Sequence, residues 1–167
     1  ADALQAKTII VHTGIDGHVQ DTCRKLKLLN DPRIVIENKP YDVLNRTLIC
    51  VGHSPEEIER IKLESGVGFC LDIGHAIVSA NAQGKEPIDH LKRFLALKPS
   101  LIHLSNGTYQ GLEDSHANLD QGDFPLKEIL KLLPRNIKIT IETIKASDKD
   151  LNDFKADIEC FKNIVQS

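Results

Sequence analysis

Five short apolar runs in this sequence each lead into a residue that can bind a metal or move a proton. Thr8-Ile9-Ile10-Val11 leads into His12, Ile34-Val35-Ile36 into Glu37, and Val67-Gly68-Phe69-Cys70-Leu71 into Asp72. Leu101-Ile102 leads into His103, and Ile137-Lys138-Ile139-Thr140-Ile141 into Glu142. Imidazole and carboxylate are donors that zinc and manganese accept. Ionisable groups converging on one basin repel one another or carry a desolvation cost, and a bound cation offsets both. A lone His or Glu at a strand end is ordinarily a hydrogen-bonded surface residue; recurrence after every run is what points to a shared metal site. Two further positions join the set. His75 follows Asp72 closely in Leu71-Asp72-Ile73-Gly74-His75, and Asp114-Ser115-His116 is a D-x-H able to offer two ligands from one loop.

These residues need elements that bring them together. The apolar runs are short, rich in β-branched residues and bounded by turn residues, as buried parallel strands are. Helical patterns lie between them. Ser54-Pro55-Glu56-Glu57 is a capping box with proline at the first helical position, predicting a helix to about Ser65, before Gly66. Pro87 to Leu97 carries Ile88, Leu91, Phe94 and Leu95 and stops at Pro99, and Pro125 to Leu133 repeats the scheme before Pro134. Asp148 opens a final helix with Leu151, Phe154, Ile158, Phe161 and Ile164-Val165 on one face. Strand-helix alternation predicts an α/β fold with a parallel sheet and right-handed crossovers. In a closed barrel of that kind the carboxyl ends of the strands converge on one face, where active sites lie. With no linker or low-complexity tract, residues 1–167 read as a single domain.

Composition narrows the partners. A net charge of −3 gives no general attraction to nucleic acid or to an anionic membrane. No apolar run approaches the roughly 18 residues of a membrane helix, and the first residues lack a secretory signal pattern. Cys23, Cys50, Cys70 and Cys160 form no CxxC pair and no zinc-finger spacing, so they read as reduced thiols of a cytoplasmic protein. The chain starts with Ala and contains no Met, which leads us to expect a piece of a longer sequence. His18, His53 and His90 do not follow strands and read as surface or capping residues. Lys39 and Tyr109 are candidate substrate contacts, the plainer readings being loop shaping and loop packing. The lysines at 25, 27, 127 and 131 read as solvated helix faces.

The segments Val35-Ile36-Glu37-Asn38, Gly68 to His75, Ile102-His103-Leu104, Glu113-Asp114-Ser115-His116, Gly122 and Ile139-Thr140-Ile141-Glu142-Thr143 carry a resemblance. As an ordered set over nearly the whole chain, they resemble the endonuclease IV and xylose isomerase-like TIM barrel superfamily, also called AP endonuclease family 2. The resemblance implies a (β/α)8 TIM barrel of which this chain covers about strands four to eight. The first strands, about 100 residues by usual barrel size, would come from a longer chain or another subunit, because open edges leave a core uncovered.

The resemblance also implies roles. In the sugar isomerase and epimerase branch, Glu37, Asp72, His103 and Glu142 hold one Mn or Mg ion. Glu37 and Glu142 then move protons at a sugar carbon, and His75 binds a substrate oxygen. In the endonuclease IV branch the site holds up to three zinc ions. His12 and Glu37 serve the first, Glu37, Asp72, His103 and Glu142 the second, and His75, Asp114 and His116 the third. The remaining ligand of that branch is a His on a strand this sequence lacks. The D-x-H favours phosphodiester hydrolysis in abasic-site DNA, a DNA-repair hydrolase, because a one-metal enzyme has no use for it. Two departures favour the alternative, a sugar or sugar-phosphate isomerase or epimerase. Ser115 stands where the DNA enzymes carry Arg, and Asn106 to Leu112 contains no Lys or Arg for phosphate contacts. A non-enzymatic barrel fragment is disfavoured by the intact ligand set.

Overall fold

The computed structural model describes residues 1–43, 47–147 and 149–166. A 3-10 turn at Asp2–Leu4 precedes β1 (Ile9–His12), α1 (Val19–Leu29) and β2 (Ile34–Glu37). Then come β3 (Asp42–Val43), β4 (Leu48–Ile49), α2 (Pro55–Ser65), β5 (Gly68–Asp72), α3 (Ile73–Ala82) and α4 (Pro87–Ala96). The chain continues through β6 (Leu101–Leu104), α5 (Leu126–Leu132), β7 (Lys138–Ile141) and α6 (Asn152–Gln166). Asp148, expected to open the last helix, lies outside the described residues.

The main sheet has five strands in the order β1-β2-β5-β6-β7, all parallel. Each strand pairs with the next one in the chain that belongs to the sheet, so the order never reverses. That progression is an arc of a barrel; a doubly wound sheet would have a switch point. The register sets His12 opposite Glu37 and Asp72 opposite His103, so the ligand-type residues share one rim. The hairpin β3–β4 is joined to the loop after β1 by the Ile15–Cys50 bridge. Its strands are too short for period-two alternation, and the sequence reading has no counterpart for it.

Ile36, Phe69, Leu71, Ile102 and Leu104 pack against Ile58, Ile61, Ile77, Leu91, Phe94 and Ile129 from the helices. Ser54 caps α2 by accepting from Glu57 N–H, with Pro55 at the first turn and Gly66 in the left-handed region at the end (φ 74°). α3 is absent from the sequence reading. Ile73 to Ala80 are all buried, so the helix has no polar face and no amphipathic period to detect.

Two expectations are corrected. His90 is not a surface or capping residue. It is 2% exposed, with its ring edge-on to Phe94 at 5.1 Å. Standing next to Leu91 and four residues before Phe94, it falls on the buried stripe of α4. Burial, helped by Lys85 and Arg93, pushes its pKa down to about 4. His53 is half-buried, its Nδ1 donating to the Cys50 carbonyl at 2.6 Å, whereas His18 is exposed at the start of α1. The apolar face expected on the last helix is mostly uncovered. Leu151, Phe154, Ile158 and Val165 are exposed, Phe161 and Ile164 reach the core only in part, and the one buried residue described in α6 is Asp157. The cause is position: α6 follows β7, an edge strand with no neighbour on its far side among the described residues.

Candidate metal centre

The site grows from the carboxyl ends of β2, β5 and β6. Asp72 closes β5 and caps α3, its Oδ1 accepting the His75 N–H at 2.7 Å. Next to Glu37, the wholly buried Asn38 braces Asp72 from the neighbouring strand. Its Nδ2 donates to the Asp72 carbonyl at 2.9 Å, and its Oδ1 accepts the Asp72 N–H at 2.8 Å. Gly74 lets α3 begin hard against the end of β6: a Cβ there would fall 2.9 Å from Ser105 Oγ and 3.4 Å from Asp72 Oδ1. The D-x-H rides on the loop between β6 and α5. Asn106 ties that loop down by donating to the Leu119 carbonyl (2.8 Å) and accepting from Gly107 N–H and Phe124 N–H. Gly122 permits this, because a Cβ would sit 2.5 Å from Asn106 Oδ1.

Two groups of donors result. Glu37, Asp72, His103 and Glu142 place one ligand atom each within 4.8 Å of one another, and so do His75, Asp114 and His116. Glu37 lies between the groups, 3.3 Å from His75 Nδ1 and 3.5 Å from His103 Nδ1. His12 Nε2 is 3.3 Å from the other Glu37 oxygen, on a side chain 62% exposed at the sheet edge. His103 also contacts Glu142.

The second group has its rings oriented as those of metal ligands are. His75 Nδ1 lies 2.8 Å from the Asn38 carbonyl and His116 Nδ1 lies 2.9 Å from the Glu142 carbonyl. A carbonyl only accepts, so both Nδ1 atoms carry the proton. Each Nε2 then points at the same Asp114 oxygen, at 2.8 and 3.1 Å. Backbone carbonyls commonly orient ligating imidazoles in this way. His116 itself has φ 43°, a left-handed conformation uncommon outside glycine and typical of functional positions.

Electrostatically the basin is a network in which carboxylates and imidazoles shift one another. Burial pushes the Glu37 carboxyl up, but His103, His12 and His75 together hold it well below the usual range. Asp114 is likewise held low against burial by His116 and His75, and Glu142 is lowered by His103. Burial works against protonation of His103, yet Cys70, Glu142 and Glu37 push its pKa up to about 12. Asp114 raises His116 to about 9, and Asp72, Asp114 and Glu37 lift His75 despite burial. Asp72, wholly buried, is raised by desolvation, and its Oδ2 has no hydrogen-bond partner among the described residues. A buried oxygen left without a donor amid three carboxylates and three imidazoles suits a divalent cation better than it suits a closed hydrogen-bond network.

The candidate substrate contacts are placed differently. Tyr109 turns its hydroxyl to Glu86 Oε1 (3.2 Å), and its carbonyl accepts from Asn81 Nδ2 (2.7 Å), so it fastens the loop to the helix layer. Lys39 is half-buried, and its N–H donates to the Gly52 carbonyl. Sequence reasoning missed the brace role of Asn38 and the buried Ser105, whose hydroxyl has no partner among the described residues. The only signal for Asn38 was a short polar side chain directly after a strand-end carboxylate.

Known proteins agree with this architecture. The xylose isomerase-like TIM barrel family matches residues 1–164. No curated protein matches the sequence. Among solved structures, a D-tagatose 3-epimerase-like protein superposes with a TM-score of 0.70 at 18% identity, over 98% of this chain and 63% of its own. Endonuclease IV from Thermus thermophilus gives 0.65 at 22%, over 97% and 64%. A 3-keto-D-glucoside 4-epimerase from E. coli gives 0.61 at 12%, over 96% and 64%. This chain thus spans under two thirds of each, and at these identities the likeness concerns the fold. Among the described residues no helix is long and apolar enough to cross a membrane. The rim of candidate ligands at the strand ends and the match along almost the whole sequence lead to one conclusion: the chain belongs to the xylose isomerase-like TIM barrel family.

Proposed function

We propose that the chain carries most of the metal site of a divalent-metal-dependent hydrolase that cleaves phosphodiesters as endonuclease IV does, with abasic-site DNA as substrate and zinc as the metal. The observation that carries this reading is the second ligand group. His75 and His116 have their Nδ1 protons tied to carbonyls and aim both Nε2 atoms at Asp114, an arrangement that an enzyme with one metal does not need. In this reading Glu37, Asp72, His103 and Glu142 hold one cation, His75, Asp114 and His116 another, and His12 with Glu37 a third. When bound, such ions supply Lewis acidity and neutralise charge on a phosphoryl oxygen. The chain's own groups do the rest. Asn38 keeps Asp72 and His75 in register, and Glu37 and Glu142, on the same rim, hold or accept protons at the reacting oxygen. Lys39, half-buried two residues after Glu37, is assigned in this reading as a phosphate contact. Tyr109 shapes the loop. The whole enzyme completes the barrel with residues from a longer chain or another subunit.

A second reading has its own observation. The loop from Asn106 to Phe124 carries Glu113, Asp114, Asp120 and Asp123 and no Lys or Arg, an acidic rim that suits a small neutral sugar better than a polyanion. In an isomerase or epimerase, one Mn or Mg ion sits on the first group, Glu37 and Glu142 move the proton at carbon, and His75 binds a substrate oxygen. Metal content and substrate decide between the two. Two or more zinc ions per chain with cleavage of an abasic-site oligonucleotide supports hydrolysis. One Mn or Mg with ketose epimerisation and no strand cleavage overturns it.

A further inference from the structure

Asp157 is the only buried residue described in α6, 1% exposed on a helix where Phe154, Ile158 and Val165 face solvent. A carboxylate buried alone would be costly; this one has a full set of donors from two distant segments. Oδ1 accepts the Leu119 N–H at 2.8 Å, on the loop just beyond His116. Oδ2 accepts the Thr143 hydroxyl at 2.5 Å, on the residue directly after Glu142, and pairs with Lys145. Lys145 reaches back to Asn118 Oδ1 at 3.3 Å and lies 4.6 Å from the Phe154 ring centre, so its charge is held inside the same cluster.

The two segments joined by Asp157 carry candidate ligands of both groups, Glu142 of the first and Asp114 with His116 of the second. His116 Nδ1 donates to the Glu142 carbonyl at 2.9 Å, and the Ile144 N–H donates to the His116 carbonyl at 2.7 Å. These two hydrogen bonds hold His116 in its left-handed conformation against the end of β7, which has no neighbour beyond it among the described residues. Sheet pairing fixes Asp72 and His103 from both sides; Glu142 lacks that support. We infer that Asp157 is a positioning residue for the metal site, clamping the loop that carries Asp114 and His116 to the strand end that carries Glu142. The inference rests on the metal-site reading above.

The test uses the intact protein with Asp157→Asn and Asp157→Ala, and Ile61→Ala as a core variant of α2, a helix that packs against α1, α4 and β5. Zinc affinity is measured by competition with a chromophoric chelator, coordination by the visible spectrum of the cobalt-loaded protein, and stability by thermal melting. The expected result is roughly tenfold weaker zinc binding for the Asp157 variants, the low end for residues that support ligands, with an altered cobalt spectrum. Ile61→Ala lowers the melting temperature and leaves both metal readouts as in the wild type. If the Asp157 variants fail to fold, Thr143→Val removes only the strand-side half of the clamp and should show the same change in kind. Asp157 variants that melt earlier yet bind zinc and tune cobalt like the wild type reduce Asp157 to an anchor for α6 and overturn the inference alone. A wild-type protein that binds neither ion overturns the metal-site reading itself.

Discussion

The two ligand groups are held by different kinds of structure. Glu37, Asp72, His103 and Glu142 stand at neighbouring strand ends of one parallel sheet, where backbone pairing sets their spacing. His75, Asp114 and His116 come from the first turn of α3 and from a loop whose shape depends on Asn106, Gly122 and a left-handed His116. The spacing of the first group follows from the strand pairing of the barrel itself. The second must be added to the barrel by local interactions. Function resides in such additions more than in the fold, and in the reading proposed above the second group is where a hydrolase and an isomerase would differ.

Glu37→Ala should have the largest effect, because Glu37 contacts His12, His75 and His103 and so touches both groups. Metal affinity and activity should fall by more than about 100-fold, beyond what loss of a supporting residue costs. Isothermal titration with zinc and a turnover assay check this; near-wild-type binding would show that the groups do not share Glu37. Asp114→Ala should be more selective. Metal analysis should show one ion fewer per chain, with the strand-end group still loaded. Phosphodiester cleavage should then be lost, whereas an epimerase would keep its rate. Loss of every metal would mean the two groups act as one unit and would break the contrast.

The smallest effect at neutral pH is expected at His90, outside both groups. Its pKa is about 4 in the folded chain and 6.5 as its ordinary value. The unfolded chain therefore binds the proton more readily, so His90 costs nothing above pH 6.5, and stability is lost as pH falls from 6.5 toward 4. The loss should be at most about 3 kcal/mol, from the size of the shift. Urea unfolding from pH 7 to 4 should show His90→Phe with a shallower acid limb than wild type, and zinc affinity at pH 7 unchanged. A parallel limb would show that other groups govern acid unfolding.

The rim residues were legible because each follows an apolar run, and a strand end in a parallel sheet has only one place to point its next side chain. Burial of α3 on every side from Ile73 to Ala80 hid the helix, since an amphipathic period needs an exposed polar face. His90 was misread because a histidine beside an apolar stripe looks the same whether the neighbouring helix covers it or not. α6 was misread for the converse reason. An apolar stripe predicts burial only when some element lies opposite, and at the sheet edge none does among the described residues. The same edge position leaves the side chains of His12 and Glu142 62% and 46% exposed while Asp72 is wholly buried.

By itself the sequence determined the strand-helix alternation and the identity of the candidate ligands, because both rest on periodicity and side-chain chemistry that are local to the chain. Only the tertiary structure decided that Asn38 braces Asp72 across two strands, that two imidazoles turn their Nε2 atoms to one carboxylate oxygen, and that Asp157 joins the D-x-H loop to Glu142. Each of these depends on a partner far away in the chain. Which partner a polar group finds is settled by packing geometry, and no pattern of neighbouring residues encodes it.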